Sequence, residues 1–170
     1  GGLTVSSGYT LTVETGASVK FIPGTYAYIT VEGTLNAQGI VSDSIVFSSS
    51  SSTPKKGDWQ GINVYNTGRV QMRYCAIRDA NTGVNFSYSS PGVVNNMVRK
   101  STFDRVRTGI YGYFFGTDQV KFYFDSNRVV LNADDTVTHY GFRLFYSSNG
   151  DSGLFITDNV IAVHNTMQGK

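Results

Sequence analysis

An all-β solenoid, wound as a single-stranded right-handed parallel β-helix of about six coils, is the fold that the 170-residue sequence predicts. Three observations carry it. Laid over itself with a shift of 32 residues, the stretch from Asn95 to Lys170 returns asparagine to one place, at Asn95, Asn127 and Asn159. Apolar residues keep phase around it, Met97 and Val98 becoming Val129 and Val130, then Ile161 and Ala162. A glycine followed by an apolar residue and an alternating strand recurs at Gly61-Ile62, Gly83-Val84, Gly109-Ile110 and Gly141-Phe142, at separations of 22, 26 and 32 residues. No stretch carries apolar residues at helical spacing. A strand-like unit of this kind cannot bury its apolar side alone and must stack on its neighbours, and the absence of helical segments excludes leucine-rich and helical repeats.

The elements follow in order. Leu3/Val5, Leu11/Val13, Val19/Phe21, Ile29/Val31, Leu35 and Ile45/Phe47 alternate apolar with polar residues, which marks short half-buried strands. Ser7-Gly8, Thr15-Gly16 and Pro23-Gly24 close them as turns. The run from Ser48 to Ser52, continuing to Gly57, reads as an exposed loop because it offers no apolar face. From Gly61 onward the rung lengthens while the strands stay in phase, so insertions fall in turns. Between Thr82-Gly83 and Thr108-Gly109 the match reaches back to Ile77 and Phe103. The repeated asparagine suits a sharp turn, since Asn tolerates left-handed backbone and its amide can bond to the equivalent amide one rung away.

Several of these segments resemble the coils of right-handed parallel β-helix proteins of the pectin-lyase-like superfamily. They are Leu3-Thr4-Val5, Tyr9 to Glu14, Gly16 to Phe21, Val31 to Leu35, Gly57-Asp58-Trp59-Gln60-Gly61-Ile62 and Ala80-Asn81-Thr82-Gly83-Val84. The resemblance covers nearly the whole chain and implies the fold. It does not select an activity, because the superfamily holds polysaccharide lyases, hydrolases, epimerases, tail spikes, adhesins and non-catalytic surface domains.

Length and composition fit one β-helix domain over residues 1–170, with 19 glycines, three prolines and 22 Tyr and Phe residues for turns and packing. The opening Gly-Gly without a methionine reads as a processed piece, either excised from a longer chain or a subunit of an assembly. A single cysteine, Cys75, excludes an internal disulfide and a thiolate metal cluster, and its strand-like setting reads as a small buried residue. No run approaches the ~20 apolar residues of a membrane span, so membrane insertion is not expected. A polar, Tyr- and Ser-rich composition with charged residues at only 15% points to an extracellular or cell-surface setting. The net charge of +2 is small, yet nine basic residues stand against four acidic ones between Arg69 and Arg128.

Two surfaces carry the expected chemistry. After each recurrent glycine the first and third positions point inward and the second and fourth outward, which sets Tyr65, Tyr111, Tyr113 and Phe145 in a stripe on one outer sheet, with Arg143 and Asn residues beside it. Aromatic faces next to polar donors hold sugar rings. The alternative is that the loops after Ser87 and after Ser147 fold over the stripe. The basic zone adds Arg73, Arg78, Arg99, Lys100, Arg105 and Arg107, whose guanidinium groups fork onto carboxylates and fit an acidic polysaccharide. Asp79 and Asp104 are the competing partners for these arginines on a solvated face. Nucleic acid is not expected, for want of a recognisable motif.

Asp134, Asp135 and His139 are the weak catalytic candidates, since paired carboxylates can serve as acid and base. Adjacent residues of a strand face opposite ways, and Asn132-Ala133-Asp134-Asp135 is ordinary turn chemistry. No cofactor or metal site is expected. The expected function is therefore a non-catalytic extracellular module that binds glycans, self-associates through its coil ends, or does both. The alternative is a small or truncated polysaccharide-degrading enzyme, a uronate lyase or hydrolase.

Overall fold

In the computed structural model, which describes residues 1–65, 67–88, 94–115, 120–133, 138–147 and 153–165, every regular element is a β-strand. Three strands make one coil. The first holds β1 (Gly2–Val5), β2 (Thr10–Val13) and β3 (Ser18–Phe21); the second β4 (Tyr28–Val31), β5 (Thr34–Gln38) and β6 (Ile45–Ser49). The third holds β7 (Gly61–Tyr65), β8 (Arg69–Arg73) and β9 (Cys75–Arg78); the fourth β10 (Thr82–Tyr88), β11 (Val94–Arg99) and β12 (Thr102–Asp104). The fifth holds β13 (Thr108–Phe115), β14 (Val120–Asp125) and β15 (Arg128–Ala133); the sixth β16 (Tyr140–Ser147), β17 (Gly153–Thr157) and β18 (Val160–Asn165). Each strand pairs in parallel with its equivalent one coil away, giving three six-stranded sheets. Sheet A runs β1-β4-β7-β10-β13-β16, sheet B β2-β5-β8-β11-β14-β17, and sheet C β3-β6-β9-β12-β15-β18. This is a right-handed parallel β-helix of six coils, as the recurrences predict.

Alternation along each strand builds the core column by column. In sheet A, Leu3, Ile29, Ile62, Val84, Ile110 and Phe142 are in register. In sheet C the column is Val19, Phe47, Ile77, Phe103, Val129 and Ile161. Fully burying one such side chain stabilises by roughly 1.5–3 kcal/mol, so stacked columns rather than local propensity hold the coils. In the middle coils the filling is aromatic, Phe86 meeting Phe122 edge-on at 5.3 Å and Phe124 at 5.7 Å between ring centroids. Trp59 lies fully buried and flat on Phe21, and its indole N–H donates to the Arg78 carbonyl at 2.7 Å. The recurrent glycines are explained by close approach. A Cβ on Gly83 would strike the Phe103 ring and one on Gly141 the Ile161 side chain, so these positions let sheet C side chains press against sheet A backbone.

From the third coil on, the corner between sheets B and C is one residue wide and left-handed, with φ between 47° and 53° at Tyr74, Lys100, Ser126 and Asp158. The next residue of each coil points inward, and these form a polar ladder. Cys75 N–H donates to Ser101 Oγ at 3.1 Å, Ser101 N–H to Asn127 Oδ1 at 3.0 Å, and Asn127 N–H to Asn159 Oδ1 at 2.9 Å. The expected amide-to-amide bond is present, Asn127 Nδ2 donating to Asn159 Oδ1 at 3.0 Å.

Three sequence expectations are corrected here. Asn95 is not in this ladder; it lies on β11 opposite Lys121, and Met97 and Val98 pair with Tyr123 and Phe124 rather than with Val129 and Val130. The shift of 32 holds only between the last two coils, whereas Ser101 is the residue 26 positions before Asn127. The left-handed residue is the one before each asparagine, not the asparagine. Ser48 and Ser49 are also not loop: they end β6 and are buried, Ser49 N–H bonding to Asp79 Oδ2 at 3.1 Å and Ser48 Oγ accepting from Lys20 Nζ at 2.8 Å. Small hydroxyl side chains with partners can be buried at little cost.

Candidate functional site

On the outer face of sheet A two columns run along the helix axis. Asn63, Asn85, Tyr111 and Arg143 form one, and Tyr65, Ser87, Tyr113 and Phe145 the other. Adjacent coils stand about 4.8 Å apart, so residues in one column touch only their nearest neighbours. Ser87 therefore separates Tyr65 from the other three rings, and the aromatic surface is a patch on coils five and six rather than a stripe. Within it, the Tyr111 and Phe145 centroids are 6.1 Å apart and those of Tyr113 and Phe145 6.3 Å. The Arg143 guanidinium lies 4.7 Å from the Tyr140 centroid, 5.5 Å from Phe145 and 5.9 Å from Tyr111. Tyr113 is 44% exposed and Phe145 42%, while Tyr65 and Tyr111 are half-buried. Beside the patch, Asn85 Nδ2 donates to Asn63 Oδ1 at 3.0 Å, and Asn85 Oδ1 is covered without a partner among the described residues.

The basic zone divides between two corners. At the corner from sheet C to sheet A, Arg105 Nε reaches Asp79 Oδ1 at 2.7 Å and its Nη1 reaches Asp104 Oδ2 at 3.0 Å. Asp79 is buried, so this pair supports a left-handed turn residue on each of two adjacent coils and leaves Arg105 little freedom to meet a ligand. Arg107 is half-buried near the same corner, with its Nε shielded and unpartnered among the described residues.

Arg73, Arg99 and Lys100 gather at the other corner, between sheets B and C. Arg73 pairs in register with Arg99, and both Arg73 and Lys100 lie over the Tyr74 ring, at 5.0 and 5.7 Å from its centroid. Arg99 lies 5.4 Å from the Tyr123 centroid, and Tyr123 stacks on Phe155 at 4.9 Å with 7° between planes. Tyr74, Tyr123 and Phe155 escaped the sequence reading although period-two alternation in β14 and β17 turns Tyr123 and Phe155 outward.

Of the catalytic candidates, Asp134 and Asp135 lie outside the described residues. His139 stands at the corner from sheet C to sheet A, where Lys56 Nζ comes within 3.0 Å of its Nε2 and donates to the Asn132 carbonyl at 2.6 Å. Lys56 belongs to the long connection between β6 and β7, which reaches across to the fifth coil. Its position was not legible, since a polar loop carries no register. Among the described residues no three His, Cys, Asp or Glu side chains gather where a metal ion could be held.

No curated protein and no solved structure matches this chain. The family model of the pectate-lyase-like β-helix domain matches residues 1–88, from the first strand to the end of β10. With just over half of the chain matched, and three parallel sheets continuing the same coils to β18, the chain belongs to the pectate-lyase-like β-helix domain family.

Proposed function

We propose that this β-helix domain is a non-catalytic glycan-binding module acting outside the cell or on its surface. The observation that carries the reading is the patch of Tyr111, Tyr113 and Phe145 around the Arg143 guanidinium on coils five and six. Exposed rings supply apolar faces for the C–H side of a sugar, and a guanidinium with the neighbouring Asn63 and Asn85 amides supplies donors for its hydroxyls. Side chains standing on a sheet are held in place before any ligand arrives, so little ordering entropy opposes binding. A glycan array followed by affinity electrophoresis tests it. Tyr113→Ala and Phe145→Ala should each weaken binding by about tenfold, as expected for aromatic anchors. Their melting should barely change, since exposed substitutions cost within about 0.5 kcal/mol. No new reducing or unsaturated ends should form when the protein is incubated with neutral or uronate polymers. Binding untouched by both substitutions, or release of such ends, overturns the reading.

End-to-end self-association is part of the same proposal. The sixth coil exposes Ile156, Ile161 and Val163 and the first exposes Leu3, each standing in an inward column that is apolar on the neighbouring coils. The two ends offer parallel strands of the same three sheets, so a second copy continues both the hydrogen bonding and the packing.

A further inference from the structure

The corner between sheets B and C carries a feature that folding does not explain. From the third coil on its turn is a single left-handed residue, and on coils five and six small polar residues, Ser126 and Asp158, fill it. On coils three and four the same position holds Tyr74, with φ 47°, and Lys100, with φ 48°. Large side chains adopt this backbone at a cost that Asn or Gly would lower, and such strain is an observation that points to function. The two side chains also meet, Lys100 reaching over the Tyr74 ring from one coil away and Arg73 from the residue before it.

Charge makes the second observation. Arg73 and Arg99 face each other in register on adjacent parallel strands, an arrangement that is destabilising for like charges. Asp125, the next residue in that column, comes no closer than 3.9 Å to Arg99 Nε, and that nitrogen is shielded with no hydrogen-bond partner among the described residues. Neither Arg73 nor Lys100 has a carboxylate partner among the described residues. Desolvation works to raise the pKa of the Tyr74 phenol, but the Arg73 and Lys100 cations beside its ring outweigh that and hold the phenol below its ordinary value. On coils three and four the corner thus presents three cations and a polarised phenol, with Asp125 of the fifth coil the carboxylate that comes within 3.9 Å of Arg99.

We infer that Arg73, Tyr74, Arg99 and Lys100 form an oxyanion site that takes a carboxylate or sulfate group carried on an acidic polysaccharide. The guanidinium groups supply planar forks for such a group, Lys100 a point charge, and Tyr74 a hydroxyl donor. The stacked Tyr123 and Phe155 rings, one and two coils beyond Arg99 on sheet B, with Tyr123 next to Arg99, give the sugar body an apolar surface. The proposal rests on the glycan-binding reading only for the polymer that carries the anion; the site itself is separate from the sheet A patch.

The test uses the whole chain with alginate as the carboxylate polymer, dextran sulfate as the sulfate polymer, and dextran and duplex DNA as controls. Binding is measured by affinity electrophoresis at low and at high salt. At low salt alginate, dextran sulfate or both should bind at least tenfold more tightly than dextran. Preference between the two names the oxyanion. The double variant Arg73→Gln/Lys100→Asn should lose that tenfold and keep its melting temperature, because Asn suits the left-handed turn. Tyr113→Ala/Phe145→Ala should leave it intact, which separates this site from the sheet A patch even if that patch binds nothing.

A readout on the unaltered protein guards against misfolded variants. With ring-labelled tyrosine followed by NMR, saturation with the bound polymer should raise the Tyr74 pKa, since an anion offsets the two cations that lower it. Neither acidic polymer binding better than dextran, DNA binding as tightly as the better of them, an unchanged double variant, or a Tyr74 titration unmoved by ligand each overturns the proposal.

Discussion

Single positions in this fold divide into those that face the axis and those that do not, and the difference is large. Ile110 is fully buried between Val84 and Phe142, so Ile110→Asp would place an unpaired charge where no water reaches. Desolvation of that kind costs several kcal/mol and should abolish folding, whereas Ile110→Val should cost about 1 kcal/mol. Circular dichroism and thermal melting of both variants check the assignment, and a charged variant that melts like the parent would sink it. Cys75 gives a second reading of the interior. Its thiol is buried and directed at the Ala37 carbonyl at 3.3 Å, and burial pushes its pKa up to about 12. An unfolded thiol ionises near pH 8.5, so the folded state holds the proton that the unfolded state gives up. Stability from this group is complete below about pH 8.5 and is lost as pH rises toward 12. Tyr88, also raised by burial, acts in the same direction. A thiol reagent should therefore label Cys75 only at the rate of unfolding, and denaturant midpoints should fall above about pH 8.5. Rapid labelling of the native protein would show that the strand opens locally.

At the scale of the element, the polar ladder at the corner between sheets B and C decides how the long coils stay in register. Asn127 is buried; its Oδ1 accepts from Ser101 N–H, and its Nδ2 donates to the Val98 carbonyl at 2.8 Å and to Asn159. Asn127→Ala would take the acceptor from the Ser101 N–H in the interior, at about 1–3 kcal/mol for a group left unsatisfied, and would remove the amide's bond to the Val98 carbonyl. Asn127→Ser, which copies the residue one coil earlier, should cost less. Urea unfolding of the two variants ranks them, and equal midpoints would mean that water replaces the amide. This ladder also shows what sequence could and could not tell. Strands β1 to β6 and the four glycine-led strands are readable because alternation and turn residues are local signals. Register between coils is not local. It depends on how many residues each turn absorbs, which is why Asn95 matched by spacing yet belongs to sheet B, while Ser101, a different residue type, is the true partner of Asn127. For the same reason Tyr65 was grouped with rings from which Ser87 separates it, and Lys56 was not connected to His139 at all.

For the whole molecule the ends matter most, because a solenoid buries its core only where a further coil covers it. Within the sixth coil Ile161 is 49% and Val163 64% exposed, although Val129 and Leu131, their equivalents one coil earlier, are buried. Leu3 at the other end is 49% exposed where Ile29 beside it is buried. In the proposed end-to-end stacking, a copy translated along the axis would set β16, β17 and β18 against β1, β2 and β3 of the next, all parallel, with the columns of Phe142, Leu154 and Ile161 continuing into those of Leu3, Leu11 and Val19. In that proposed stacking each contact would be apolar on apolar and heterologous, so it would leave a free end at each side and propagate into a filament rather than close. Light scattering after size exclusion should then show mass rising with protein concentration, and electron microscopy should show thin unbranched rods with a strand repeat of about 4.8 Å along the axis. Ile161→Lys on the exposed end should hold the protein monomeric, since a charge would have to be buried against Val19 of the next copy, and circular dichroism of the variant checks that it remains folded. A parent that stays monomeric over the same concentration range, or a lysine variant that assembles as the parent does, rules out stacking through the ends.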